Sequence, residues 1–163
     1  MIEILLSSFN GEKYIKELLD SIIAQSYENW QLLIRDDGSK DSTSDIINKY
    51  EQIYPTKIKI INDGGKNLGS TLSFARLLEC CQGEYIMLSD QDDVWLPNKI
   101  ELTLNEIVNL ASGVKNQPLM VFTDLKVVNI ELTVFPRGST PDSCIRRNPQ
   151  AGEARQRWPS SRR

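Results

Sequence analysis

Short apolar runs alternate along this chain with longer stretches in which apolar residues recur every three or four positions. The first run, IEILLS at 2–7, reads as a strand buried on both faces. After the turn-like SFNG, residues 12–26 place Tyr14, Ile15, Leu18, Leu19, Ile22 and Ile23 at helical spacing. WQLLIR at 30–35 reads as a second strand, stopped by DDGS. Residues 41–54 open on Asp and Ser, both good helix caps, and carry Ile46, Ile47, Tyr50 and Ile53 on one face. KIKIIN at 57–62 alternates as a strand does, and the loop DGGKNLG follows it. Residues 70–82 read as a helix and EYIMLS at 84–89 as a fourth strand. A helix over 97–110 takes Pro97 into its first turn, and a fifth strand is expected within 119–129, ending near Asp124.

This alternation predicts an α/β protein: a Rossmann-like, mainly parallel sheet with flanking helices. Sheets of this class bind ligands beyond the carboxyl ends of their strands. SSFNG, DDGS, DGGKNLG and SDQDD each follow a strand, so the polar, acidic and Gly-rich segments gather along one edge. At 163 residues, with 40% hydrophobic and 25% charged positions, one globular domain is expected.

Charge changes the picture in one place. The formal net charge of −3 argues against a nucleic-acid binder, but it averages two unlike parts. Residues 1–135 carry 12 Lys and Arg against 20 acids, whereas 136–163 carry 7 Arg against 2 acids. Of 17 isoleucines, 16 also precede residue 136. The Arg-, Pro- and Ser-rich segment 136–163 is therefore expected to be disordered and of foreign origin, from vector read-through or a frameshift. A native basic tail for anionic lipid or nucleic acid is the alternative. With no His and no C-x-x-C among three cysteines, zinc ligation and Ser-His-Asp or Cys-His catalysis are excluded as readings. The first apolar run is short and lacks a basic flank, so neither a signal peptide nor a membrane span is expected, and the expected location is cytoplasmic.

Candidate chemistry centres on SDQDDVW at 89–95. Asp90 and Asp92, one residue apart at a strand's carboxyl end, can offer oxygens to one hard cation, Mg2+ or Mn2+, that keeps open positions for diphosphate. Alternatively, Asp92 or Asp93 caps the following helix. RDDGS at 35–39 reads either as a tight turn or as a carboxylate placed to meet a nucleobase or ribose. GGKNLG lacks the dinucleotide-binding glycine spacing, and Gly69 by itself marks a loop. Trp30 and Trp95 are read as packing residues.

In combination, LLSSFNGEKYIKELLDSIIAQSYENWQLLIRDDGSKDST, NLG and GEYIMLSDQDDVWLPNKIE resemble the nucleotide-binding half of a family 2 glycosyltransferase with the GT-A fold, over about residues 2–130. SDQDDVWLPNKIE is similar to bacterial polysaccharide enzymes, rhamnosyltransferases among them. The resemblance implies a donor-binding domain at 1–130, with Ser7 and Phe9 lining a nucleobase pocket and Asp37 reading the base beside Asp36. It implies Asn67 and Gly69 as the N-x-G of the cofactor-binding loop, Asp92 as the direct metal ligand, and Asp90 facing ribose or metal. Asp124 matches a position near the donor sugar, and Phe74 stands where many relatives carry Arg, leaving Arg76 or Lys66 as substitutes.

The implied partners are a UDP- or dTDP-linked sugar and, in a full-length enzyme, a glycan or lipid-linked acceptor, reached at the inner face of the membrane. The implied reaction is transfer to an acceptor hydroxyl with inversion. No general base is legible, so the catalytic residue is unassigned and the chain is expected to be a truncated donor-binding half, poorly active and prone to self-association through an exposed face. A non-catalytic nucleotide or metal-binding module, or a relative of nucleotide-sugar pyrophosphorylases, is the alternative.

Overall fold

The computed structural model describes residues 1–113, 118–128 and 142–147. Among these residues eleven elements follow one another: β1 (Ile2–Ser8), α1 (Ile15–Ile23), β2 (Trp30–Asp36), α2 (Thr43–Ile53), β3 (Ile58–Ile60), α3 (Ser70–Cys80), β4 (Tyr85–Asp90), β5 (Asp93–Trp95), α4 (Lys99–Ala111), β6 (Asp124–Val128) and β7 (Asp142–Arg147). The first four strands form one parallel sheet in the order β3-β2-β1-β4.

β1 lies inside that sheet, and its alternation sorts two cores. Ile2, Ile4 and Leu6 face one side, where they join Leu32 and Ile34 of β2 and Ile15, Leu18, Leu19 and Ile22 of α1. Leu5 faces the other and meets Leu33 and Leu77, the latter from α3. A strand with both faces covered needs a continuous apolar run, which is what 2–7 supplies. Glu3 interrupts that run but is only 3% exposed, and its Oε2 accepts the backbone N–H groups of Gln82 and Gly83, both at 2.6 Å. This carboxylate sets the turn from which β4 starts.

The expected α/β class is what forms, with differences that have local causes. Helix α1 begins at Ile15, three residues late, because the second loop pins what precedes it. Gly11 N–H donates to Thr43 Oγ1 at 2.7 Å and Glu12 N–H to Asp41 Oδ2 at 3.1 Å. Strand β3 is limited to Ile58–Ile60, and the expected fifth strand is displaced, since β6 begins at Asp124, the expected end of that strand. Strand β5 carries too few residues to show a period, and β7 falls in the segment expected to be disordered. Together with β6 they make a second sheet in the order β5-β7-β6, in which β7 runs antiparallel to β5 and parallel to β6. Backbone pairing on both sides outweighs the weak strand preference of DSCIRR. The rest of 136–163 lies outside the described residues. Among the described residues, no helix is long and apolar enough to cross a membrane.

Candidate active site

From β1 the chain crosses to β2 on one side, while β4 adds on the other, so the carboxyl ends of β1 and β4 diverge at a topological switch point. Register puts Ser7 level with Arg35 of β2 and with Asp90 of β4. A cleft of about 400 Å³ opens there. It is lined by Ser7, Phe9, Asp37, Asn67, Gly69, Asp90 and Asp92, with Ser70, Phe74 and Gln91 beside them. Asp36 is apart from this group, in a neighbouring cleft of about 160 Å³.

One buried guanidinium organises the β2 side of the cleft. Arg35 is fully buried and bonds the Asp37 carboxylate, Asp63 Oδ2 at 2.8 Å, Ser73 Oγ at 3.0 Å and the Lys66 carbonyl at 2.8 Å. Asp37 in turn accepts the N–H of Leu68 on Oδ1 at 2.7 Å and that of Gly69 on Oδ2 at 2.8 Å. Burial of Asp37 works against its charge, yet the Leu68 amide, Arg35 and the Gly69 amide together hold the carboxyl below its ordinary value. Arg35 is held above its own by Asp63 and Asp37 against the cost of burial. The loop 66–69 is therefore locked onto β2, and the backbones approach so closely that a Cβ on Gly38 (φ +82°) would lie 2.7 Å from the Gly65 carbonyl oxygen.

Asp36 is a knot between loops. Its carboxylate accepts Ser39 N–H at 3.2 Å, Ser39 Oγ–H at 2.5 Å, Ser44 Oγ–H at 2.6 Å and Ser8 Oγ–H at 3.2 Å. Asn10 takes φ +48°, held by bonds from its N–H to Ser39 Oγ at 2.9 Å and from Lys40 N–H to its Oδ1 at 2.8 Å. On the opposite flank, Phe9 exchanges two backbone bonds with the Gln91 carboxamide.

The acidic side overturns the helix-cap alternative. Helix α4 starts at Lys99 with Asn98 as its N-cap, six residues after Asp92, and Asp93 opens β5. The intervening segment is anchored to α1: Trp95 N–H donates to Ser21 Oγ at 3.0 Å, and buried Gln25 bonds the Leu96 carbonyl at 2.8 Å and the Ile100 N–H at 3.1 Å. Asp92 thus faces the cleft from a strand-to-strand turn, without a hydrogen-bonded or ion-paired partner among the described residues. Phe74 lines the cleft, whereas Arg76 pairs with Glu79 at 2.6 Å, and neither it nor Lys66 lines the cleft. For Asp124 the structure places the backbone at the start of β6.

Three contributors went unseen in the sequence. Arg35 carried a signal, since a charge ending a buried apolar run needs an acid, and two follow it. Ser73 and Gln91 carried none, because their partners lie 38 and 82 residues away.

A mainly parallel sheet flanked by helices, with an acid-lined cleft at its switch point, is an α/β fold of GT-A type. The model of the family "Glycosyl transferase family 2" matches residues 3–137, and this chain belongs to that family. It is 33% identical over 104 residues to TuaG of Bacillus subtilis, a glycosyltransferase ascribed to teichuronic acid biosynthesis, covering 64% of this chain and 40% of TuaG. WfgD of Escherichia coli, a UDP-Glc:alpha-D-GlcNAc-diphosphoundecaprenol beta-1,3-glucosyltransferase, is 27% identical over 130 residues, or 79% of this chain and 47% of WfgD. The fold matches the mannosyltransferase PcManGT of Pyrobaculum calidifontis, solved with GDP-Man and Mn2+, at TM-score 0.59 and 19% identity, over 63% of this chain and 31% of that one. The chain spans less than half the length of each.

Proposed function

We propose that this chain binds a nucleoside-diphosphate sugar, UDP- or dTDP-linked, with a divalent cation, as the donor half of an inverting glycosyltransferase of bacterial cell-surface polysaccharide synthesis. One observation carries the reading. The cleft at the switch point is lined by three carboxylates and by no Lys or Arg, so a diphosphate enters only with a cation. Asp37 is matched by Arg35, and Asp90 and Asp92, which line the same cleft, are the acids assigned to that cation. Among the described residues no group of three acids, cysteines or histidines is placed to hold a metal, and two carboxylates leave most of a cation's shell open. That suits Mg2+ or Mn2+, whose other positions the diphosphate fills. The cation, when bound, neutralises charge on the leaving diphosphate.

The protein's own groups do the rest. Helix α3 starts at the cleft with Gly69 as N-cap, no capping side chain and no acid in its first turn, so its free amides favour an anion. Phe9 is exposed at the rim, and Asp37, its charge fixed by Arg35, faces the nucleobase. The acceptor hydroxyl's general base lies outside residues 1–130. The donor sugar is a hexose or deoxyhexose, rhamnose foremost, and the enzyme works on the cytoplasmic side with a lipid-linked or glycan acceptor.

The reading is tested by thermal shift with UDP, dTDP and GDP, each with Mn2+ and with EDTA. One pyrimidine diphosphate is expected to raise Tm with Mn2+ only; no shift with any nucleotide in a folded sample would sink it.

Self-association belongs to the same proposal. Strand β4 is paired on one side only among the described strands, and Ile86 and Leu88 on its face are 40% and 59% exposed. An unpaired strand edge beside an exposed apolar face is a template for a second chain. In sedimentation velocity the protein is expected to associate with rising concentration, and Leu88→Lys to remain monomeric over the same range.

A further inference from the structure

The second residue of DQDD is neither an acid nor a bystander. Gln91 sits between Asp90 and Asp92 and turns its carboxamide across the cleft mouth to Phe9. Its Oε1 accepts the Phe9 N–H at 2.9 Å, and its Nε2–H donates to the Phe9 carbonyl at 3.0 Å. A side chain thereby makes both bonds of a β-bridge with one residue of a loop 82 positions away. Only a primary carboxamide can donate and accept in this way; Glu has the shape but, when ionised, accepts only. Space for it depends on Gly11, where a Cβ would fall 2.4 Å from Gln91 Oε1.

Beyond Phe9, the same loop is tied to the second loop through Asn10, Gly11 and Glu12, and that loop is continuous with Asp37. Gln91 is a side-chain link from this block to the acidic turn. We propose that Gln91 is a positioning residue that couples the nucleobase side of the cleft to its cation side, so that the two halves of a nucleoside diphosphate are bound as one rigid span. The inference rests on the donor-site reading above and adds to it a residue that acts through Phe9. Ordering Phe9 beforehand spares the ligand that cost on binding. A ligand spanning both sides gains from the link, and one confined to the cation side does not.

The test is titration calorimetry with UDP and with inorganic pyrophosphate, each with Mn2+, on the wild type, Gln91→Met and Gly11→Ala, alongside amide hydrogen exchange at Phe9. Met keeps the length of Gln and removes both bonds; Ala at 11 displaces the same carboxamide from the opposite side. Both variants are expected to speed exchange at Phe9, to weaken UDP roughly tenfold, and to leave pyrophosphate within about twofold. A general loosening of the fold would weaken both ligands together, and that result overturns the proposal. Unchanged UDP affinity despite fast Phe9 exchange overturns it too. If the wild type binds neither ligand while Phe9 stays protected, the donor-site reading fails and the coupling with it, and the Gln91–Phe9 link is then structural only.

Discussion

Arg35→Met is expected to lower unfolding stability by about 3 to 5 kcal/mol, the usual cost of removing one partner from a buried ion pair. Against a domain total of about 5 to 15 kcal/mol, that is enough to leave a fraction of the protein unfolded. The size follows from what is stranded. Asp37 keeps its two amide donors but loses its counter-charge while only 2% exposed, and Asp63 and the Lys66 carbonyl each lose the bond from Arg35. Urea unfolding measures the loss, and the sign of its pH dependence is fixed. Asp37 and Asp63 are both held below the ordinary carboxylate value of 3.8 in the folded protein. Their contribution is complete above that value and fades as pH falls through the lower folded values. The gap between wild type and variant should therefore be widest near neutrality and narrow below about pH 4. A gap that stays constant into acid would mean that Arg35 acts by packing alone.

The lock also shows why the fold was more legible than the site. β1 and α1 announce themselves by period because burial acts on each residue separately: Ile2, Ile4 and Leu6 face one core whatever the distant sequence does. The same reasoning places four polar segments on one edge, and seven of the eight residues singled out there line one cleft. What each does in that cleft depends on partners that no period records. Asp36 and Asp37 are adjacent and chemically identical, yet one is a knot among serines and the other is matched by Arg35 and two amides of the third loop. The helix-cap reading of DQDD failed for a similar reason. A three-residue strand that begins at Asp93 stands between Asp92 and α4, and β5 forms through pairing with β7, which starts 49 residues after it does. Short strands and side-chain bridges are tertiary facts, and local pattern does not contain them.

Asp92→Asn is expected to reverse the way the protein answers to metal. In the wild type, two unit charges about 4 Å apart at an effective dielectric near 20 repel by about 4 kcal/mol, so a diphosphate facing Asp90 and Asp92 binds poorly until a divalent cation sits between them. With Mn2+ and UDP at about 100 times Kd, the stability gain should be about 2.7 kcal/mol; a hundredfold loss of affinity at the same concentrations leaves about 0.4 kcal/mol. Asn keeps the size of Asp92 and removes the charge, so most of the Mn2+-dependent gain should vanish. In EDTA the effect has the opposite sign, because one repelling carboxylate is gone and metal-free UDP should bind the variant better than the wild type. Calorimetry in the two buffers measures both arms. A purely structural Asp92 would not produce the crossover, since a damaged cleft binds less UDP in either buffer. Equal binding by variant and wild type with Mn2+ would take Asp92 out of the cation site and leave Asp90 as the acid to test next.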